Sequence, residues 1–323
     1  MTRFLAQPFG AGRFWGIAAS QGLPILQVFA APRSLHCPKT AFRRSDETNV
    51  NRPSWTHIAH SGKTPVNKTV LITGASSGIG KALAGNFAAD KFNLVLAARG
   101  VTKMEALASE LQQRHGITAT VIAADLEAVD GAAQLHAAVK AKGITLDVLV
   151  NNAGYGTYGE FKDSALQGEL AMMQLNMNSL VVLSKLFLPD LLATKGKLVN
   201  LASTAAFQPG PYMAVYYASK AFVLSFSEAL AEELADSGVT VTAFCPGPTA
   251  SGFQDKAEMG ASALVKGKKM PSAEEVARTG YRAAMRGQRV FIPGFMNWMM
   301  AQSVRFSPRI VVTKMVKALS KPV

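Results

Sequence analysis

A strand that turns into a helix through glycine limits this fold more than any other feature of the chain. Residues 68–73 (K-T-V-L-I-T) form a short β-branched apolar run that reads as a buried strand. It passes directly into T-G-A-S-S-G-I-G at 73–80 and then into a helical stretch over 81–90. Gly74, Gly78 and Gly80 permit a tight turn and close backbone approach, which leaves amides at the helix N-terminus free to hold a pyrophosphate. Ser76, Ser77 and Ile79 fill the same turn. The spacing is G-x-x-x-G-x-G rather than G-x-G-x-x-G, but the geometric demand is the same.

The alternation continues. Residues 93–98 (N-L-V-L-A-A) read as a second strand, 104–114 as a helix, and 118–124 as a third strand ending at Asp125-Leu126. A helix over 131–142 and a fourth strand over 146–150 follow, then N-N-A-G at 151–154. This β-α-β-α-β-α-β order with short connections predicts an α/β fold: a Rossmann-like, doubly wound parallel sheet in one domain. Beyond it, 164–193 reads as a long apolar helical region, 197–202 as a fifth strand and 216–236 as a helix stopped by Ser237-Gly238. Residues 239–245 and 289–292 complete a sheet of about seven strands.

Ligands on such sheets bind beyond the carboxyl ends of the strands, so Gly74, Arg99, Asp125 and Asn152 are expected to line one crevice. The second strand ends in Ala98-Arg99, with no carboxylate. An acid there takes the adenosine ribose 2′-hydroxyl, whereas an arginine accommodates a 2′-phosphate, so NADP(H) is favoured over NAD(H). Arg99 as an ordinary loop cation is the competing reading.

Chemistry concentrates in 203–220, S-T-A-A-F-Q-P-G-P-Y-M-A-V-Y-Y-A-S-K. Tyr216 precedes Lys220 by four residues, so phenol and ammonium share one helix face. Gln208, Pro209, Gly210 and Pro211 interrupt any helix, and Ser203 enters a loop free to fold back toward that face. A free phenol titrates near 10, and lowering that by about three units takes roughly 4 kcal/mol of differential interaction with a nearby cation. The expectation is a phenol pulled down by Lys220 together with a bound, positively charged nicotinamide ring, so that it acts as general acid–base, with Ser203 donating to a carbonyl oxygen. Taken alone, Tyr-x-x-x-Lys is more often an aromatic packed beside a solvated lysine; the surrounding chain argues for chemistry.

The formal net charge of +13 divides unevenly. Residues 1–66 carry eight Lys/Arg and two acids, 67–265 fourteen and seventeen, and 266–323 twelve and two. The basicity belongs to the ends rather than the folded middle, which argues against a nucleic-acid partner. Residues 1–66 bear arginines and no acid before Asp46, the composition of a transit peptide to mitochondrion or plastid. A disordered extension or an over-long start on a cytoplasmic protein is the alternative. A secretory signal or anchor fits less well, because the apolar run 25–31 lies far from the start. Cys37 and Cys245 make no disulfide framework, and with the five histidines they form no zinc-like cluster, so no metal is expected.

Residues 295–323 form a basic amphipathic extension after a catalytic domain over 67–294. Trp298, Met299, Met300, Val304 and Phe306, then Ile310, Val311, Met315, Val316 and Leu319, are interleaved with Arg305, Arg309, Lys314 and Lys317. The pattern fits a cap on the domain or an oligomer contact, and also a segment lying on an anionic membrane surface.

With the glycine turn, N-N-A-G, Ser203, Tyr216 and Lys220 in this order and spacing, residues 67–250 resemble the short-chain dehydrogenase/reductase family. The resemblance implies a catalytic tetrad at Asn176, Ser203, Tyr216 and Lys220. Asn176 is preferred to Asn178 because the family places a small residue three positions on, here Ser179. It also implies a dinucleotide held by the glycine turn, Asp125, Leu126, Asn152, Ala153, Gly154, Tyr216 and Lys220. The P-G-x-T segment contributes Pro246, Gly247 and Thr249, and a water on Asn176 relays protons to Lys220. The implied function is NADPH-dependent hydride transfer between the nicotinamide and an apolar carbonyl or alcohol, in a homo-oligomer. A 3-ketoacyl-thioester or steroid reductase is a narrower version, and a dinucleotide-binding regulator without turnover is the alternative outside catalysis. Substrate loops belong at 248–271, where Phe253, Met259, Lys266, Lys268 and Lys269 stand, near Phe207, Tyr212, Tyr155 and Phe161 from loops at the same sheet end. The lysines read as a solvated loop, or as partners for an acyl-CoA phosphate.

Overall fold

β1 (Thr69–Thr73) is buried at four of its five residues and β2 (Asn93–Ala98) at four of six. Strands covered on both faces belong to parallel sheets with helices on each side. That is the architecture of the computed structural model, which describes residues 67–253, 257 and 269–321. β3 (Ala119–Ala123), β4 (Val148–Asn151), β5 (Lys197–Leu201), β6 (Thr240–Phe244) and β7 (Val290–Phe291) complete one seven-stranded sheet, ordered β3-β2-β1-β4-β5-β6-β7. Every pairing is parallel. The order reverses between β1 and β4, where Val70, Leu71 and Ile72 pair with Val148, Leu149 and Val150. The crevice beyond such a switch point is where a ligand of this kind of sheet binds. The leader reading at 1–66, with Cys37, and the loop residues Met259, Lys266 and Lys268 lie outside the described residues.

The described helices are α1 (Gly78–Ala89), α2 (Val101–His115), α3 (Gly131–Ala141), α4 (Leu166–Met173), α5 (Ser179–Thr194), α6 (Ala214–Glu233), α7 (Ala273–Met285), α8 (Phe295–Ser303) and α9 (Arg309–Ser320). α1, α2 and α7 cover one sheet face through Leu83, Phe87, Met104, Leu107, Val276 and Tyr281. α3, α5 and α6 cover the other through Leu135, Val139, Leu183, Phe187 and Ala231. Phe87 anchors the first layer: it is 1% exposed and meets Phe92 and Tyr281 edge-on at centroid distances of 5.2 and 4.8 Å. Truncating such a ring to alanine costs about 3–5 kcal/mol.

Three departures from the sequence pattern have a clear physical cause. β4 begins at Val148 rather than 146, because the Leu146 amide donates to the Asp190 carboxylate at 3.0 Å instead of to a strand neighbour. α2 begins at Val101 and closes on Gly116, whose φ of +62° is the left-handed conformation of a helix stop. The region read as one helix over 164–193 is α4 and α5 joined by a single π turn, Gln174–Asn178. By length and composition Leu166–Thr194 is apolar enough to cross a membrane. However, Met172, Leu183, Phe187 and Leu191 on it are fully buried in the domain, which makes it a core helix.

Candidate active site

The glycine turn leaves no room for side chains. Gly74 and Gly78 have φ of +65° and +54°, and a Cβ at Gly80 would lie 2.4 Å from the Gly74 carbonyl oxygen. A Cβ at Gly74 would press on the Asn152 amide at 2.9 Å, and one at Gly78 on the Ser251 carbonyl at 2.9 Å. Thr73 and Asn152 clasp the ends of β1 and β4. Thr73 Oγ1 accepts from the Asn152 and Ala153 amides, both at 3.0 Å, and Asn152 Nδ2 donates to the carbonyls of Thr73 at 2.8 Å and Gly74 at 3.2 Å. The Asn152 side chain therefore shapes the turn. Ser77 precedes α1 in an extended conformation without a capping bond from its side chain, and no acid stands in the first turn. A helix start of this kind offers its amides to an anion.

Around the turn, Arg99 is largely exposed and its Nη1 pairs with Glu127 Oε1 at 2.9 Å. Asp125 is exposed and folds its carboxylate back on the Glu127 amide at 3.1 Å. The buried Leu126 presents its carbonyl to Ser179 Oγ at 2.6 Å. A Cβ at Gly100 would meet Ser76 Cβ at 3.9 Å, which puts the serine beside the end of β2.

Ser203, two residues past β5, opens a 3-10 turn, Thr204–Phe207. Its Oγ accepts from the Ala205 amide at 3.1 Å and donates to the Pro246 carbonyl at 3.4 Å. The loop that follows crosses the first turn of α6 so closely that a Cβ on Gly210 would fall 2.2 Å from the Tyr217 ring. Glycine there, with Tyr212 at φ +69°, lets the loop fold back as its composition predicts. The Ser203 hydroxyl thereby comes near enough to the Tyr216 phenol to favour its ionised form. Lys220 Nζ donates to the Leu201 carbonyl at 2.7 Å and stands 5.9 Å from the Tyr216 ring centroid.

Asn176 is buried on the π turn. Its Nδ2 donates to the Tyr155 carbonyl at 2.9 Å and to Ser219 Oγ at 3.1 Å, while its Oδ1 accepts from the Tyr155 amide at 3.2 Å. Asn178 turns outward and donates to Gln174 at 2.8 Å. A Cβ on Gly154 would meet Asn176 Oδ1 at 2.9 Å and Lys220 Nζ at 3.5 Å, so glycine is what allows these groups to close on one point.

Lys220 alone does not pull the Tyr216 phenol down: burial pushes it up to about 12, against the opposing influence of the Ser203 hydroxyl. Lys220 moves the other way, to about 8, because burial disfavours its ammonium. The ammonium is directed at the Leu201 carbonyl rather than the phenol oxygen, and desolvation outweighs its influence on the ring.

Of the residues expected to line a substrate pocket, Phe253 reaches the site. Its ring lies 5.3 Å from that of Tyr216, and a Cβ on Gly156 would meet Phe253, Met213 and Tyr216 all at 3.0 Å. Tyr212 faces Tyr158 at 6.1 Å and lines a cleft of about 220 Å³ with Phe161, Met213 and Glu169. Glu169 is buried, accepts from Thr157 Oγ1 at 3.2 Å, and has no partner on its second oxygen among the described residues. Tyr155 instead braces α4, its hydroxyl donating to the Gly168 carbonyl at 3.4 Å. Phe207 lines a separate groove with Ala301, Val304 and Val312. Lys269 is exposed.

The segment after residue 294 contributes directly. Val312 and Val316 of α9 pack in one cluster with Met172, Met213, Tyr216 and Tyr217, and Tyr158 donates its hydroxyl to the Ser320 carbonyl at 2.6 Å. A Cβ on Gly247, within the P-G-x-T segment, would meet Asn297 of α8 at 2.7 Å. Thr249 is buried and bonds the Gly247 carbonyl at 2.9 Å. Asn297, Ser219 and the Asn151–Asn200 pair escaped the sequence reading. Asn151 donates to Asn200 and Ser184, and Asn200 to Ser227, each at 3.0 Å, a buried polar ladder beneath the site. Two strand residues 49 positions apart give no local signal; only the register Asn151–Asn200 joins them.

The family model for short chain dehydrogenase matches residues 68–261. A serine 3-dehydrogenase of Agrobacterium fabrum is 35% identical over 231 residues, 69% of this chain and 90% of the relative. A very-long-chain 3-oxoacyl-CoA reductase of Anas platyrhynchos is 33% identical over 185 residues, 54% of this chain and 58% of the relative. Among solved structures, a short-chain dehydrogenase from Sphingobium yanoikuyae in complex with NADPH superposes with a TM-score of 0.67 at 30% identity, covering 74% of this chain and 94% of that one. The bulky-bulky ketone specific alcohol dehydrogenase of Comamonas testosteroni gives 0.64 at 30% identity, covering 74% and 92%. By its matched residues, sheet order and relatives, the chain belongs to the short-chain dehydrogenase family, oxidoreductases that act on CH–OH and C=O groups with a nicotinamide cofactor.

Proposed function

We propose that the chain is an NADPH-dependent reductase of apolar ketones or aldehydes, able to run in reverse on the alcohol. The observation that carries this reading is the meeting of Ser203, Tyr216, Lys220 and Asn176 in one buried site at the strand ends, next to a glycine cradle that any Cβ would fill. Gly74, Gly78 and Gly80, the first amides of α1, Asp125 with Leu126, Asn152 to Gly154, and Pro246, Gly247 and Thr249 are the residues we assign to holding the dinucleotide. When bound, the reduced nicotinamide supplies the hydride. Ser203 Oγ donates a hydrogen bond to the carbonyl oxygen, and the Tyr216 hydroxyl gives that oxygen its proton. A phenol held up by burial keeps its proton until needed, and the nearby Lys220 ammonium stabilises the phenolate left behind. Asn176 ties Tyr155 to Ser219, and its Oδ1 and the Lys220 ammonium both border the space at Gly154, where a bridging water would carry the proton back in.

Preference for NADPH is supported by Arg99 at a strand end that has no carboxylate. Its partner Glu127 is a weak competitor, since a single ion pair at a largely exposed arginine is worth about 0–1 kcal/mol while phosphate binds guanidinium bidentately. The apolar faces of Phe253, Met213 and Tyr158 favour an apolar carbonyl. A 3-oxoacyl thioester or steroid is a second reading, favoured by relatives bearing those names, of which the chain spans only part. We further assign residues 1–66 to a leader and 67–294 to the catalytic domain. Half-exposed Phe222 and Leu192 on α6 and α5 suit contact between copies of the chain. The test is oxidation of NADPH and NADH by the purified chain across ketones, aldehydes and 3-oxoacyl thioesters. Faster NADPH oxidation with apolar ketones is expected; no oxidation of either cofactor would favour a regulator that binds without turnover.

A further inference from the structure

The inward face of α9 is accounted for by Val312, Val316 and the Ser320 carbonyl, which pack on the active-site cluster. Its outward face is not. Ten of the sixteen large apolar side chains exposed among the described residues fall within 295–319. Ile310, Val311, Met315 and Leu319 come from α9, and the turn before it adds Phe306, 88% exposed. α8 contributes the rest, including the stacked pair Phe295 and Trp298. Exposed apolar residues are normally scattered singly, and a dense cluster marks an interaction surface.

The charge around this cluster is one-sided. Residues 295–323 carry Arg305, Arg309, Lys314, Lys317 and Lys321 and no Asp or Glu. At 3.6 residues per turn, Lys314 and Lys317 fall on one side of α9, bordering the exposed apolar row, and Lys321 follows the end of the helix. Arg305 and Arg309 stand at the groove of about 420 Å³ whose walls include Phe207, Ala301 and Val312. We propose that α8 and α9 form a docking face for an anionic lipid surface, the apolar row entering the acyl boundary and the cations meeting phospholipid headgroups. Two copies joined through this face across a twofold axis would set five cations against five with no acid to pair them, which charge repulsion opposes. An anionic bilayer supplies both the counter-charge and a solvent for the apolar row. Docked this way, the helix that covers Tyr216 on one side rests on lipid with the other, so an apolar substrate reaches the site from the membrane. The docking itself stands on surface composition and is independent of the proposed reaction.

The experiment floats the full chain with vesicles of phosphatidylcholine alone and of phosphatidylcholine mixed with phosphatidylserine. Two variants run beside it, Lys314→Glu with Lys317→Glu, and Ile310→Ser with Leu319→Ser, each checked for native fold by circular dichroism. Because residues 1–66 are basic as well, the variants decide. The parent is expected to float with phosphatidylserine vesicles only, less so at high salt, and each charge removed should lower partitioning roughly fivefold. Unchanged NADPH oxidation in a variant that no longer floats separates docking from catalysis. A parent that ignores phosphatidylserine vesicles, or variants that bind as the parent does, would overturn the proposal. So would an oligomer that ignores vesicles and is dissolved by Ile310→Ser with Leu319→Ser, which would give the face to a second copy.

Discussion

The two walls of the cleft are built from different material. The wall formed by β1, β4 and the start of α1 is mostly backbone, with glycines at contacts of 2.4 to 2.9 Å to a hypothetical Cβ and the Thr73 and Asn152 side chains clasping the strands. The opposite wall, from α6 with the residue before it, from α9 and from the segment after Thr249, is side chain against side chain: Tyr216, Met213, Phe253, Val312 and Val316. A backbone wall tolerates no substitution and fits one invariant ligand shape. A side-chain wall accepts volume changes at modest cost, which is how one scaffold serves many substrates.

The contrast is broken most severely at the acid–base pair. Lys220→Ala should lower the reduction rate about 10²–10⁴-fold near pH 7 and much less near pH 9. The sign follows from the lysine's own titration: lowered to about 8, it is charged at neutral pH and has lost its proton above. The parent's rate should accordingly fall as pH rises through about 8, and a pH-rate profile of both proteins checks this. Equal losses at both pH values would remove Lys220 from the chemistry.

On the backbone wall, Gly80→Ala drives a methyl onto the Gly74 carbonyl. The turn must shift, and NADPH affinity measured by fluorescence titration should fall on the order of a hundredfold. Phe253→Leu on the other wall should change the substrate KM severalfold while leaving NADPH affinity alone. Similar responses at both positions would erase the distinction between the walls. Arg99→Leu should cut the ratio of NADPH to NADH efficiency roughly tenfold, the worth of one charge-assisted contact. The smallest effect belongs to Tyr158→Phe. It removes the bond to the Ser320 carbonyl, about 1 kcal/mol, and should appear as faster hydrogen exchange in the last turn of α9 with little change elsewhere.

The same contrast explains what was legible beforehand. The backbone wall announces itself in sequence, because glycines at 74, 78 and 80 are local necessities of a tight turn, while Asn152 is placed beside them by its position at a strand end. Ser203, Tyr216 and Lys220 were legible through helical spacing and the proline-glycine break between them. The π turn that presents Asn176 carries no marker in Q-L-N-M-N; it arises where α4 and α5 must meet the Tyr155 backbone. How little the lysine alone offsets the burial of Tyr216 is not legible, because sequence gives the distance between charges along a helix but not how dry the pocket is. The placement of α9 over the site was equally hidden, since its two faces are both apolar and only packing distinguishes Val312 and Val316 from Ile310 and Met315.

Turnover of Tyr216→Phe, saturated with NADPH and offered a ketone the parent reduces, addresses the proton transfer most directly. The substitution removes one oxygen from a buried ring and leaves the glycine turn untouched. The account predicts a kcat lower by about 10²–10⁴-fold with NADPH affinity essentially retained. A kcat equal to the parent's would contradict it.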